Sequence, residues 1–596
     1  MARPFRFAVQ ATRATSAAQW CDAATRIEAA GYSTLFLADH YLGKGPAAKA
    51  AKWPPQHLAP IAAMSVAAAV TSSLRVGCRV FCADYHVPGV LMKEATTLDL
   101  LSDGRLEFGI GGGWSEYEYR AMGVPFAPGP QRVSKLEEVV ALFKAHCAGE
   151  PLDITGEYVT ARDYAGLPLP VQKPHPPIMI GGGRKRVLSL AGREADIVSI
   201  MHALDGIRVL DLGTYIAGPY CATVLGEFGA EIIKVERPGT GDHLRRFGTE
   251  TNCGDTLVWL SEARNKRSVT LDLGDPRGRE LLRELIIGAD VVIENFRPGV
   301  MERWNLGYED IRRLNPRAIM LRVSAYGQSG PLAGQPGFAR VAHAFAGLSL
   351  LAGEPDGTPV TPGSTSLGDY LTGLYGVIGV LLALRAREAT GRGQCVDLAL
   401  YESIFRVLDE IAPAYQQFGF VRERMGADTV NVVPHSHYRT ADDRWIAIAC
   451  SNDEMFARLC TAMGRPDLAY PDRFGRKAAR LVARDEVNAL VANWVATLSR
   501  DEALARCRNS EVPAGPLNSI ADIFDDPQFA HRGTITRSES RIGPLAVPDV
   551  LPTLSETPGE IRWLGPELGA DTDEVLGALL HRTAEEIAHL RDAGVI

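Results

Sequence analysis

Short apolar runs alternate with stretches whose apolar residues recur at helical spacing from the first residues onward. Phe5 to Gln10, Thr34 to Ala38, Leu74 to Phe81, Leu106 to Ile110 and Ile178 to Ile180 predict strands. Ala17 to Ala30, the segment after Pro54, Val133 to Cys147 and a run ending near Arg193 predict the helices between them, and Asp196-Ile-Val-Ser opens a further strand. This is a repeated βα rhythm of about five steps, fewer than a closed (β/α)8 barrel requires. At Met201-His-Ala-Leu-Asp-Gly-Ile the pattern breaks without a Pro-, Ser- or charge-rich linker, and a new series begins with Arg208-Val-Leu-Asp-Leu. A helix through Tyr220 to Phe228, the strands Ala230 to Val235, Val291-Val-Ile-Glu and Ile319 to Val323, and a helix after Asp310 predict a doubly wound α/β layer. A long helix follows Asp369. Around Asn431 to Asn509 the texture shifts to helices and a short strand, Trp445 to Ala449, and Leu564 to Ile596 closes as a strand or loop with helices packing back on the larger domain.

The fold class expected is therefore α/β: an incomplete (β/α)8-barrel-like segment over 1–202, then a doubly wound large domain over 203–425. A small inserted α+β domain covers 426–515, and 516–596 returns to the large domain. A chain of 596 residues exceeds what one hydrophobic core usually supports, which agrees with several domains. With 46% hydrophobic and 22% charged residues it has a globular composition rather than a disordered one. The formal charge of −8 is small for this length, and Lys and Arg are scattered, so no nucleic-acid footprint is expected. The N-terminus lacks the apolar core of a signal peptide, and the longest apolar run, Leu371 to Leu384, reads as too short to span a bilayer. The 10 cysteines show no paired CxxC spacing, which points away from a zinc site or disulfide framework and toward reduced thiols in a cytoplasmic protein without a membrane partner.

The most informative chemistry lies in Ser366-Leu-Gly-Asp-Tyr-Leu-Thr-Gly-Leu-Tyr-Gly, a carboxylate at the mouth of an otherwise apolar helix. Two readings of Asp369 are open from spacing alone. It can be an N-cap that satisfies an orphan backbone N–H. It can equally be a nucleophile, set beside glycines that leave space for a substrate, which attacks a thioester and holds the acyl group as a mixed anhydride.

From Leu204 onward the chain resembles the class III CoA-transferases, the CaiB/BaiF family that includes formyl-CoA transferase, carnitine CoA-transferase and 2-methylacyl-CoA racemase. The resemblance is carried, in order, by Leu204-Asp-Gly-Ile-Arg-Val-Leu-Asp-Leu, Ala217-Gly-Pro, Leu225-Gly-Glu-Phe-Gly-Ala-Glu-Ile-Ile-Lys-Val-Glu-Arg-Pro-Gly and Asn265-Lys-Arg-Ser-Val. Glu294-Asn-Phe-Arg-Pro-Gly, Leu367-Gly-Asp-Tyr, Thr390-Gly-Arg-Gly-Gln and Leu568-Gly-Ala-Asp-Thr-Asp-Glu-Val-Leu continue it. It implies Asp369 as the nucleophile. It also implies a CoA site with Arg237 at the nucleotide end, Asn295 and Phe296 along the thioester channel, and Lys266, Arg267 and Arg303 near the phosphates. CoA thioester and a small carboxylate are then the substrates, no further cofactor is required for transfer, and the family's interlocked homodimer is the expected assembly.

The racemases of this family carry a His after the glycine at the position of Gly337, where this chain has Phe338; His343, five residues on, reads as a helix-packing residue. That disfavours the alternative of a 2-methylacyl-CoA racemase, which needs a second acid/base across the α-carbon. The glycine-rich loop of formyl-CoA transferase is replaced by Asn431-Val-Val-Pro-His-Ser-His-Tyr, which disfavours formate and oxalate. Wording from Pro336 to Leu348 and around Tyr401 resembles the mesaconyl-CoA and succinyl-CoA:dicarboxylate branch, for which Arg340, Arg422 or Arg424 could anchor the second carboxylate.

Residues from Arg3 to about Ile200 resemble the front of the luciferase-like, F420- or flavin-dependent oxidoreductases. The matching text is Gly31-Tyr-Ser-Thr-Leu-Phe-Leu-Ala-Asp-His, Ala95-Thr-Thr-Leu-Asp-Leu-Leu-Ser-Asp-Gly-Arg-Leu-Glu-Phe-Gly-Ile-Gly-Gly-Gly-Trp and His175-Pro-Pro-Ile-Met-Ile-Gly-Gly-Gly. The resemblance implies that Asp39 and His40 face an F420 or FMN ring and that Gly181 to Gly183 approach its phosphate. Because the last βα units never appear, this third is expected to be an appendage or fusion product without redox activity of its own. The alternative is a bifunctional fusion with a working oxidoreductase.

Overall fold

A computed structural model describes residues 6, 8–11, 13–43, 45, 56–149, 151–183, 185–199, 202–554 and 557–596, without the side chains of residues 185 and 364. The start of the strand expected from Phe5, the segment directly after Pro54, and Met201 at the expected break lie outside the described residues. Contacts divide the chain into two compact units, one built from 1–207 with 228–230 and 553–559, the other from 208–227, 231–552 and 560–596.

The first unit is a curled, open sheet. Its strands are β1 (Ala8–Gln10), β2 (Thr34–Leu37), β3 (Arg75–Cys78), β4 (Phe81–Cys82), β5 (Leu106–Gly111), β8 (Ile178–Gly181) and β9 (Ile197–Ser199), and a separate hairpin is formed by β6 (Leu152–Thr155) and β7 (Thr160–Tyr164). The parallel order is β1-β2-β3-β5-β8-β9, with β4 pairing β5. This is half of a barrel, whose side chains Leu35, Val76, Phe108 and Ile180 are wholly buried and whose core includes Phe108 stacked on Phe143 at 4.0 Å between centroids. The run Leu74 to Phe81, expected as one strand, is two. Where it breaks, the backbones of two strands crowd together: a Cβ on Gly109 of β5 would stand 1.9 Å from the Cys78 carbonyl oxygen, so only glycine fits there.

The second unit contains a six-stranded parallel sheet of β10 (Arg208–Asp211), β11 (Glu231–Glu236), β12 (Lys266–Thr270), β13 (Val291–Glu294), β14 (Ile319–Ser324) and β15 (Cys395–Ala399). Its order is β12-β11-β10-β13-β14-β15. The chain winds outward from β10 in one direction, then crosses to β13 and winds outward in the other, which opens a crevice at the carboxyl ends of β10 and β13. Strands β13 and β14 are buried along their whole length, as expected of a parallel sheet covered on both faces. A smaller antiparallel sheet, β16 (His435–Arg439), β17 (Trp445–Ala449) and β18 (Ala514–Pro516), packs Tyr438, Ile446 and Ile448 against helices Asp453–Ala462, Arg484–Val495 and Arg500–Asn509. A hairpin not foreseen from the sequence, β19 (Ile535–Ser540) and β20 (Gly543–Pro548), follows, and helices Thr572–Leu580 and Ala584–Asp592 return Val575, Leu576 and Ile587 to the core around Leu210, Ile233 and Val269.

The helix Leu367–Thr390 corrects one expectation. At 24 residues it is long and apolar enough to cross a membrane by length and composition, whereas the apolar run read from the sequence stopped at Leu384. In the fold it is a domain helix that lies along helix Ala217–Glu227.

Candidate active site

The crevice is built by the loop after β10. Tyr215 in that loop takes a left-handed backbone conformation, φ 61°, which is costly for a bulky side chain. It is held there from two sides: its N–H donates to Asp242 Oδ1 at 2.9 Å, and its ring stacks on His243 at 5.2 Å. Across the crevice, at the end of β13, Asn295 grips the same loop with both ends of its amide. The Oδ1 accepts from the Thr214 N–H and the Nδ2 donates to the Thr214 carbonyl, each at 2.8 Å. Gly218 lets helix Ala217–Glu227 start against this amide, since a Cβ there would meet Ile293 at 3.3 Å and Asn295 at 3.7 Å. Phe296, half-buried, turns its ring edge to Trp304 at 5.4 Å.

Asp369 is delivered to this region by close helix packing. A Cβ on Gly373 would come within 3.0 Å of the Ala217 carbonyl oxygen and 2.8 Å of the Tyr220 ring, and one on Gly376 within 3.3 Å of the Cys221 sulfur. Glycine at both positions lets helix Leu367–Thr390 rest its backbone on helix Ala217–Glu227. Tyr370 locks the contact edge-on to Tyr220 at 4.8 Å. Asp369 lies one turn before Gly373, in the first turn of the helix.

The capping alternative for Asp369 is not realised. The N-cap is Ser366, Asp369 lies three residues beyond it, and its side chain makes no hydrogen bond or ion pair among the described residues. The carboxyl is half-buried, and desolvation pushes its pKa up to about 7. No compensating donor among the described residues offsets that desolvation, and perturbed carboxyls of this kind concentrate at functional sites. The glycine beside it also has a different role from the one expected. Gly368 does not leave space for substrate: a Cβ there would meet Ile404 at 2.8 Å and the His343 ring at 3.1 Å.

The remaining expected residues separate into two groups. Arg237 follows the carboxyl end of β11, Asn295 and Phe296 that of β13, and Arg303 ends the short helix Val300–Arg303, so all four stand on the crevice side of the sheet. Arg237 and Arg303 are exposed. Lys266 and Arg267, expected near the phosphates, instead begin β12 at its amino end and are engaged by carboxylates. Lys266 is fully buried and donates to Asp211 at 2.9 Å and to the Pro219 carbonyl at 2.6 Å. Lys234 joins the same network, 2.8 Å from Asp242. Arg267 is spent on Glu231, Asp571 and Glu574. A strand-initial Lys-Arg pair looks like a phosphate clamp in a sequence; here the ammonium neutralises carboxylates under the helix that starts the crevice.

Of the three anchor candidates, Arg422 is paired with Asp409 and Glu410, and Arg424 donates to the Leu350 and Glu354 carbonyls. Arg340, exposed, has the Thr361 hydroxyl at 3.2 Å. Tyr215, His243, Phe247 and Phe338 form an aromatic group around the crevice loop that sequence reasoning missed, because no motif marks Tyr215.

In the first unit, the turn expected to take a cofactor phosphate is crowded by the chain itself. The Gly182 N–H donates to the Ser199 carbonyl, and a Cβ on Gly183 would lie 2.0 Å from the Asp205 carboxyl carbon, so an anionic side chain already stands at this turn. Asp39 and His40 do lie at the carboxyl end of β2. Asp39 Oδ2 is bound to His86 at 2.8 Å and His40 to Glu118 at 2.6 Å, while Asp39 Oδ1 has no hydrogen-bond partner among the described residues.

The second unit is an open, doubly wound parallel sheet with a desolvated carboxyl in the first turn of a helix packed on helix Ala217–Glu227, an architecture of α/β enzymes. Residues 204–572 match the family model for CoA-transferase family III, and residues 1–208 match that for luciferase-like monooxygenase. The succinyl-CoA–L-malate CoA-transferase alpha subunit of Chloroflexus aurantiacus is 55% identical over 395 residues, covering 66% of this chain and 92% of that protein. Human succinyl-CoA:glutarate CoA-transferase is 32% identical, covering 70% of this chain and 94% of its own length. Among solved structures, a CAIB/BAIF family protein from Brucella suis is 34% identical with a TM-score of 0.57, covering 63% of this chain and 99% of that one. The chain belongs to CoA-transferase family III and is a CoA transferase, with a luciferase-like segment fused ahead of it.

Proposed function

We propose that this enzyme moves CoA from succinyl-CoA or a related acyl-CoA to a short dicarboxylate, with Asp369 as nucleophile. The observation that carries the reading is the half-buried, unpartnered Asp369 carboxyl at the first turn of helix Leu367–Thr390. A carboxylate oxygen of Asp369 attacks the thioester carbonyl, the C–S bond breaks, and CoA leaves as thiolate with the electron pair. The thiolate then attacks the aspartyl carbonyl of the mixed anhydride, which releases the donor acid and leaves an aspartyl-CoA thioester. The acceptor carboxylate displaces the thiolate to form a second anhydride, and the thiolate attacks its acyl carbon, regenerating Asp369.

Arg237 and Arg303 would receive the anionic end of CoA, and Asn295 with Phe296 would border the thioester path. Arg340 is the cation we assign to the acceptor's second carboxylate, because Arg422 and Arg424 are already engaged. Transfer is favoured over racemisation because Phe338 cannot exchange protons and the His343 Nε2 accepts a backbone N–H at 2.8 Å. Replacing Asp369 with Ala should abolish CoA exchange between succinyl-CoA or mesaconyl-CoA and a panel of dicarboxylates, followed by mass; retained turnover would sink the mechanism.

We further propose a homodimer. Leu374, Ile378, Leu381 and Leu382 form a bare apolar stripe along helix Leu367–Thr390, which a second copy would cover. The Chloroflexus relatives are named as alpha and beta subunits, which supports an assembly of like chains. All ten cysteines are free, which supports a reducing, cytoplasmic setting. The luciferase-like segment supports a second reading as a fused F420- or flavin-dependent oxidoreductase. Stoichiometric flavin or deazaflavin absorbance in the purified chain would decide for it.

A further inference from the structure

The backbone N–H groups in the first turn of helix Leu367–Thr390 have no conventional side-chain cap. Ser366, the N-cap residue, makes no side-chain capping bond, and Asp369 makes none either. Among the described residues a single side chain serves these N–H groups, and it comes from another helix: His343, on Ala339–Phe345, whose Nε2 accepts from the Gly368 N–H at 2.8 Å. Gly368 directly precedes Asp369. The imidazole is fully buried, and its contact with Gly368 is close enough that a side chain at 368 would strike the ring.

We infer that His343 is a positioning residue for the transfer reaction: by capping the Gly368 N–H from the neighbouring helix it fixes the direction in which Asp369 leaves the helix start. This rests on the reading of Asp369 as nucleophile. Two features separate the role from simple packing. For Nε2 to accept, the proton of the neutral ring must sit on Nδ1, and Nδ1 is buried without a partner among the described residues. An apolar residue would fill the site without stranding a donor, so packing alone does not account for an imidazole. Burial and the nearby Arg340 also hold the His343 pKa below its ordinary value, which keeps the ring neutral and its Nε2 lone pair available at neutral pH. A carboxylate that must meet a thioester carbon at near-attack distance is sensitive to displacement of its backbone, because misplacement by an ångström can cost on the order of a hundredfold in rate.

The test compares His343→Gln and His343→Met in the full chain. The two side chains are similar in length and volume and differ in whether they present a strong acceptor to Gly368. H343M should lose roughly ten- to a hundredfold in kcat, with KM for succinyl-CoA changed less than about twofold, while H343Q recovers most of the lost kcat. Equal kcat in H343M and wild type, or H343Q no better than H343M, would overturn the inference. So would H343M failing to fold where H343Q folds, since the bond would then serve stability rather than position. Asp369→Asn run alongside separates this from failure of the underlying reading: an active D369N removes the nucleophile assignment itself, whereas an inactive D369N with a fully active H343M removes only the role of His343.

Discussion

If Asp369 attacks as a carboxylate, the enzyme should lose activity on acidification well above the range of an ordinary aspartate. Burial raises the Asp369 pKa from 3.8 to about 7, and no cation or donor among the described residues pulls it back. With that value the ionised fraction falls about thirty-fold between pH 8 and pH 5.5, whereas an unperturbed aspartate would hardly change over the same interval. The plot of log kcat/KM against pH, which reports the free enzyme, should therefore bend near 7 and approach unit slope below it. Succinyl-CoA is a suitable donor because its own carboxyl titrates mostly below this window. The sign for stability runs oppositely to that of a salt-bridged carboxylate. Between pH 4 and 7 the folded chain holds a proton that the unfolded chain has released, so stability falls as pH rises through that window and the full cost is present above it. The three-unit shift sets a ceiling of about 4 kcal/mol on that cost. D369N should remove it, so its stability advantage over wild type in denaturant should grow from pH 5 to pH 8. A flat rate profile down to pH 5.5, with an equal stability difference at both pH values, would refute the desolvation argument.

Other changes test the surroundings of Asp369. Gly368→Ala places a methyl group 3.1 Å from the His343 ring and should lower kcat at least as much as loss of the His343 bond, measured at saturating succinyl-CoA. Gly373→Leu forces helix Leu367–Thr390 away from the Ala217 carbonyl and should destabilise the fold by about 1–3 kcal/mol, seen in the denaturation midpoint. Lys266→Met breaks a buried ion pair and should cost about 3–5 kcal/mol of stability while leaving KM for CoA esters near wild type in the folded fraction. A large rise in KM without loss of stability would instead restore Lys266 to the phosphate site. Arg237→Ala should raise KM for succinyl-CoA with little change in kcat, the signature of lost uniform binding.

The alternation of apolar runs and the ordered motif blocks were enough to read the α/β class and the family, because strand periodicity and motif order are properties of the linear chain. Tertiary structure decided what surrounds each motif residue. Lys266 and Arg267 look like a phosphate pair in sequence, but the start of β12 lies at the opposite end of the sheet from Arg237, and burial gave Lys266 a carboxylate partner. Gly368, beside Asp369, read as space for a substrate and turned out to be where an imidazole approaches, while Gly373 and Gly376 are where a second helix does. The glycine turn at 181–183 read as a phosphate cradle, yet the chain returns Asp205 to it. His343 stands 26 residues before Asp369, a separation at which no local pattern can signal that one ring nitrogen reaches the backbone beside the other residue. Composition and periodicity report where a residue prefers to be; charge pairing, desolvation and the filling of a missing Cβ depend on which distant segment arrives there.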